Sequence, residues 1–247
     1  MNKEFESESR HGEIERRHTN ALRKIAPNIN QGDYSTWQQQ KSSQTKILLL
    51  ETTLKCLARY GYPKTTTKMV TEKANVSRGA LLHHFATRQD LIIEAIEYMF
   101  YCQLDNFYKT ILQLSEQQRV LEIAGVDVYW EFLKTKEFEA YQELAMASRT
   151  DSELRKIFVP KDIEFRRVWK EELPYLFPEW QGREEHMLLA RDLVSTTMHG
   201  LLLNMHHIVP KERRARLRKL IATISLQLRS GELELPEISE KEINIAD

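Results

Sequence analysis

The stretch Thr65–Asp90, TTTKMVTEKANVSRGALLHHFATRQD, decides how this chain folds. Gly61 and Pro63 interrupt the pattern before it, and Thr65, Thr66 and Thr67 then offer hydroxyls to the unsatisfied N–H groups of a new helix. That helix runs to about Ala74. Asn75 tolerates the left-handed conformation a tight turn requires, and Ser77 caps a second short helix opening on Arg78, Gly79 and Ala80. Met69, Val70, Ala74, Val76, Leu81 and Phe85 are the apolar residues that hold the two helices together. Two short helices across a tight turn form a helix-turn-helix, whose second helix enters the DNA major groove by its N-terminal residues. The capping box Thr87-x-x-Asp90 precedes the apolar run Leu91, Ile92 and Ile93, so a long helix starts near Arg88 and continues towards Leu114.

Charge follows the same boundary. Residues 41–91 carry nine Lys or Arg against three acids, a net of +6 in a chain whose formal charge is zero. A basic module on an acidic body is the electrostatic footprint of a protein that meets phosphates at one end. The chain has 247 residues, 41 % of them hydrophobic, which is enough for one large or two modest cores. Cys56 and Cys102 have no metal-ligand spacing and read as buried free thiols. The N-terminus lacks the apolar core of a signal peptide, and no apolar run approaches the roughly eighteen residues that span a bilayer, so the expectation is a cytoplasmic protein without membrane contact.

Residues 1–42 are polar and mixed in charge, and read as a mobile extension with a short helix near Glu13–Ile25. Arg23, Lys24 and Lys41 offer an arm to the minor groove, although an uninvolved tail is the simpler reading of the first two. From Ser43 onward the pattern is helical. Ile47, Leu50, Leu54 and Leu57 form the buried stripe of a helix that stops at Gly61. Ser115-x-x-Gln118 is a further capping box, opening a helix through Val120, Ile123, Val126, Trp130 and Leu133. Further helices fit Glu137–Ser148, Ser152–Leu173, Arg183–His207 and Lys211–Ser230, with Pro174, Pro178 and Pro210 as breaks. Gly231–Asp247 reads as an acidic tail.

The order Ala74, Asn75, Val76, Ser77, Arg78, Gly79, Ala80, Leu81, then His84, Phe85, a hydroxyl and a basic residue before the next helix, resembles the tetracycline-repressor (TetR) family of bacterial transcription regulators. The resemblance extends upstream over Lys46–Gly61, and the segment Leu144–Leu154 is similar to that family's regulatory domain. The chain departs from the pattern at Leu82, where many members carry Tyr, and at Asn75, where many carry Gly. The resemblance implies an all-α protein: an N-terminal three-helix DNA-binding domain over residues 43–91, followed by a helical ligand-binding and dimerisation domain over 92–230. It also implies a small molecule bound among the later helices, which shifts the spacing of two DNA-reading heads.

On this reading Thr66, Thr67, Lys68, His83 and Arg88 meet phosphates, Ser77, Arg78, Gly79 and Ala80 face base edges, and His84 takes a phosphate or packing role. Tyr129, Trp130, Phe132, Tyr141, Met146, Phe165, Trp169 and Met198 are large adaptable side chains that either fill a helical core or line an effector pocket for an apolar or aromatic ligand. The segment from Met187 to Met205 is apolar on more than one face, so Leu193, Val194, Thr197, Leu201 and Met205, with Leu217, Leu220 and Ile224 from the last helix, are the candidate homodimer interface. A two-fold dimer calls for a palindromic operator. His199, His206 and His207 invite a metal, but no nearby Cys or acid completes a ligand set. With no phosphate-cradling glycine loop, nucleophile elbow or paired carboxylates, neither a cofactor nor an enzymatic activity is expected. The leading expectation is a repressor released by its ligand. Two others stand beside it: a helical small-molecule-binding or enzymatic protein whose basic head docks a protein partner, and a DNA architectural protein without sequence preference.

Overall fold

A computed structural model describes residues 2–26, 37–114, 122–204 and 209–238, and every regular element in them is helical. The elements are α1 (Asn2–Ile25), α2 (Trp37–Tyr60), α3 (Thr67–Ala74), α4 (Arg78–His84), α5 (Arg88–Gln113), α6 (Glu122–Leu133), α7 (Lys136–Ala147), α8 (Ser152–Leu176), a 3-10 turn (Pro178–Trp180), α9 (Glu184–Leu203) and α10 (Lys211–Ser230). No described helix is long and apolar enough to cross a membrane. The helices pack as two compact units, residues 1–113 with 134–176, and residues 114–133 with 177–247.

The first unit is built on α2 and α5. Leu50, Leu54 and Leu57 of the expected stripe are buried, Ile47 is half-buried, and Leu49 completes the face. From α5, Leu91, Ile92, Ile96, Met99, Phe100 and Leu104 recur every three or four residues against α2, α7 and α8. Each such side chain stabilises the fold by about 1.5–3 kcal/mol relative to exposure. Three candidate pocket residues belong to this core. Phe165 stacks on Phe100 with ring centroids 4.4 Å apart, Trp169 meets Phe107 edge-on at 4.4 Å, and Tyr141 packs on Phe100 while its hydroxyl accepts from Arg166 at 2.8 Å.

Within the N-terminal extension, α1 covers the helix expected near Glu13–Ile25 and reaches back to Asn2. α1 packs on α5 and α8, burying Ile14 and Ala21. Its polar residues find partners far away in sequence: Arg17 Nε donates to Glu172 Oε2 at 2.9 Å, His18 bonds Asp105 at 3.0 Å and stacks on Tyr108, and Lys24 bonds Glu171 at 2.7 Å. Glu172 is buried and also accepts from the Tyr108 hydroxyl at 2.8 Å, which together with burial pushes that phenol far above its ordinary range. Lys24 and Glu171 form their pair with both side chains 39 % exposed. The Lys41 side chain and the Ser115-x-x-Gln118 box lie outside the described residues.

α8 runs through Pro174 to Leu176, beyond the expected break at 173. A proline in the last turn sacrifices one hydrogen bond next to carbonyls that have no helical partner anyway, which the turn absorbs. Pro178 instead opens the 3-10 turn and Pro210 stands as the N-cap of α10.

The second unit joins α6, α9 and α10. Met187, Ala190, Met198 and Leu201 of α9 are buried, as are Ile221, Ala222 and Leu228 of α10 and Val126, Trp130 and Leu133 of α6. The Arg218 guanidinium lies over Trp130, 5.2 Å from the ring centre, with Asp127 at 3.6 Å. α9 ends at Leu203, short of the expected His207, and Met205, His206 and His207 lie outside the described residues. α10 ends on Gly231, in the left-handed conformation typical of a helix C-cap. The first residues of the acidic tail fold back: Glu234 accepts from Arg183 and pairs with His186, both at 3.0 Å.

Candidate nucleic-acid interface

The loop between α2 and α3 sets where the short helices stand. Gly61 ends α2 at φ +81°, and a β-carbon there would come within 2.9 Å of Glu143 Oε1. That same oxygen accepts from the Tyr62 N–H at 2.7 Å, so α7 holds the loop from one side. From the other side Arg88 donates through Nε to the Thr65 carbonyl at 2.8 Å and through Nη2 to the Tyr62 carbonyl at 2.6 Å, with its guanidinium over the Tyr62 ring. Two of the donors expected on phosphate are spent inside the fold, and Arg88 is a clamp on this loop. Its partners lie more than twenty residues earlier, and nothing local in the sequence marks them.

Local chemistry then shapes each helix. Thr66 Oγ1 accepts from the Met69 N–H at 3.2 Å and starts α3. Asn75 takes φ 54°, ψ 44°, the expected left-handed turn, and Ser77 Oγ accepts from the Ala80 N–H at 3.1 Å to start α4. The Thr87–Asp90 box closes reciprocally: Asp90 Oδ2 accepts from the Thr87 N–H at 2.9 Å and Thr87 Oγ1 from the Asp90 N–H at 3.1 Å. Val70, Ala74, Leu81 and Phe85 are buried beneath α3 and α4, while Met69 and Val76 are half-buried.

What this scaffold leaves in solvent is polar and cationic. Thr66 and Lys68 are exposed at the start of α3 and Thr67 is half-buried, while Ser77, Arg78, Gly79 and His83 are exposed on α4, with Ala80 and His84 half-buried. Leu82 is also exposed there, at 49 %. Lys68 lies 3.9 Å from Glu72, a solvent-exposed pair of little energetic weight. Lys64, Lys73 and Arg78 form no ion pair among the described residues. Burial first, then the neighbouring charges of His83 and Lys46, hold the His84 imidazole below its ordinary range, so it is neutral at neutral pH. A seven-residue helix that presents its capped N-terminus, a serine, an arginine and a glycine to solvent, with lysines on the helix before it, matches the surface that enters a major groove.

Residues 49–95 match the family model for bacterial regulatory proteins of the tetR family. This segment belongs to the TetR family. A helix-turn-helix-type transcriptional regulator of Mycobacterium bovis is 27 % identical over 118 residues, which cover 48 % of this chain and 60 % of that protein. The chain thus spans three fifths of that relative's length. The helix-turn-helix-type regulator CymR of Pseudomonas putida is 25 % identical over 188 residues, 73 % of this chain and 89 % of CymR. Among solved structures, a Rhodococcus sp. chain assigned to the TetR-family regulators superposes with a TM-score of 0.53 at 18 % identity, over 74 % of this chain and 99 % of that one. A transcriptional-regulator structure from Pseudomonas aeruginosa gives 0.54 at 18 % identity, over 83 % and 95 %. These two likenesses show the TetR-type fold, a helix-turn-helix head followed by a helical C-terminal part.

The remaining candidates divide between the two units. Tyr141, Met146, Phe165 and Trp169 belong to the first unit, and Tyr129, Trp130, Phe132 and Met198 to the second. Met146 is exposed at 54 %, whereas Met198 is fully buried. Tyr129 bonds His199 Nε2 through its hydroxyl at 2.9 Å, so His199, raised as a metal ligand, has a tyrosine partner. No metal-holding group of His, Cys, Asp and Glu occurs among the described residues. Burial raises both thiols, that of Cys102 to about 12, which keeps them protonated and slow to react. Of the interface candidates, Leu201 is buried, Leu193, Val194, Thr197, Leu217 and Ile224 are half-buried, and Leu220 is exposed at 55 %.

Proposed function

We propose that this chain regulates transcription by binding a palindromic operator as a homodimer, and that it is a repressor which a small apolar or aromatic molecule releases. Residues 43–91 are the DNA-reading head and residues 92–230 the ligand-binding and dimerisation part. The observation that carries the reading is the solvent-facing N-terminus of α4, Ser77-Arg78-Gly79, capped and held by buried Leu81 and Phe85 on a basic head. Arg78 reads guanine through a bidentate contact, and the close approach of Gly79 and Ala80 brings the backbone to the groove. Lys68, Thr66, Thr67 and His83 set the register on phosphates. Arg88 acts through the loop it clamps, and His84 packs.

The regulators of M. bovis and P. putida named above support transcription regulation as the role. Half-buried and exposed apolar residues on α9 and α10, Leu220 foremost, support a partner copy there. α5 begins at the head and continues into the core of the first unit, which makes it the element through which an effector could move α3 and α4. An effector weakens DNA binding only as far as it binds the two conformations differently.

The test is fluorescence anisotropy of the purified protein on the DNA upstream of its own gene and on a scrambled duplex, at two salt concentrations. Selective binding that survives the higher salt, and that an apolar compound found by thermal shift reverses, is the expected result. Equal, weak binding to both duplexes that vanishes with salt would rule the reading out.

A further inference from the structure

Leu82 is the one large apolar side chain that α4 leaves in solvent, 49 % exposed, while its neighbour Leu81 is 1 % exposed. α4 packs on α2 and α3 through Leu81 and the capping Phe85, so Leu82 does not serve the core. It stands four residues after Arg78, on the same helix face and about 6 Å further along the axis at ~1.5 Å per residue. Successive bases on one strand rise by ~3.4 Å, so that distance corresponds to about two base-pair steps. Its own helix also exposes Arg78 and His83, and the loop and helix before it expose Lys64, Lys68 and Lys73. Such a surface complements phosphates, and the apolar group that a major groove offers between its phosphates is the 5-methyl of thymine.

We propose that Leu82 is a specificity-determining residue that packs on the 5-methyl group of a thymine about two base-pair steps from the base read by Arg78. The inference rests on the DNA-binding reading above and adds to it a base identity. The chemistry also accounts for a leucine at this place: its isobutyl group offers no hydrogen bond to a phosphate, and it gains from the groove only by removing a methyl group from water. One buried methyl is worth about a fourfold change in affinity.

The experiment selects preferred sites from a random duplex pool with the full-length protein, then replaces each thymine of the recovered site singly by deoxyuridine, which removes only the methyl. Anisotropy is read for the wild type and for Leu82→Ala. The expected result is one thymine per half-site at which deoxyuridine weakens wild-type binding about fourfold and leaves Leu82→Ala unaffected, the two proteins binding the deoxyuridine duplex alike. That last equality also shows the variant to be folded. A recovered site at which both proteins lose equally at every thymine, or at which neither loses, overturns the inference and leaves the DNA-binding reading standing. A pool that converges on no site overturns that reading, and the inference with it.

Discussion

Replacing Arg88 by Ala removes two charged hydrogen bonds to the Tyr62 and Thr65 carbonyls and the cation over the Tyr62 ring. The expected cost is about 2–3 kcal/mol in chemical unfolding, because each carbonyl loses a charged donor. Arg88→Lys should recover little of it, since a single ammonium cannot fork to both carbonyls. DNA affinity should fall for every sequence alike, through misplacement of α3; an Arg88→Ala protein of wild-type stability would show the clamp to be unimportant. At Asn75 the backbone sits at φ 54°, so Asn75→Val should destabilise the head by about 1–2 kcal/mol while Asn75→Gly does not. His84 adds a pH dependence. Its folded-state value lies below the ordinary 6.5, for which burial is the chief cause, so on acidification the unfolded chain takes up this proton first. The stabilising contribution is complete above 6.5 and is lost as pH falls through the folded-state value. The thermal midpoint of the wild type should therefore drop further on acidification than that of His84→Asn, and parallel curves would remove His84 as the cause.

At the scale of the helices, α1 depends on a buried carboxylate. Arg17→Met strips Glu172 of its guanidinium and leaves Tyr108 as hydrogen-bond donor with Lys24 at 3.9 Å. A fully buried pair broken this way costs roughly 3–5 kcal/mol. With Arg17 27 % exposed and Lys24 close by, about 2–3 kcal/mol is expected, together with loss of amide-exchange protection over α1. Unchanged protection would mean that Ile14 and Ala21 alone hold the helix. The same network explains what the sequence could and could not tell. The caps at Thr66, Ser77 and Thr87–Asp90 join residues three apart, and the Leu50–Leu54–Leu57 stripe repeats every three or four, so the head was legible down to its turn at Asn75. α1 owes its place to partners 87 and 155 residues away, and its mixed charge carries no local sign of them. The Arg88 clamp was hidden for the same reason: its arginine stands at a helix start, where a phosphate contact and a structural one look alike in sequence.

For the whole molecule, the proposed operator binding requires two copies and a face that reads sequence. Leu220 on α10 is 55 % exposed, so Leu220→Asp should convert a dimer into a monomer by light scattering without lowering the monomer's helix content. A wild-type monomer at micromolar concentration would contradict the two-fold operator. The basic head, net +6 over residues 41–91, predicts salt-sensitive affinity for any duplex, with selectivity supplied by α4 alone. The most direct measurement compares the preferred-to-scrambled affinity ratio of the wild type with those of Arg78→Ala and Lys68→Ala across a salt series. Arg78→Ala should lower the ratio by about ten- to a hundredfold, the worth of one bidentate contact to guanine. Lys68→Ala should instead weaken both duplexes equally and flatten the salt slope by about one unit. A ratio untouched by Arg78→Ala, with both substitutions acting alike on every duplex, would contradict the claim that the N-terminus of α4 reads the bases.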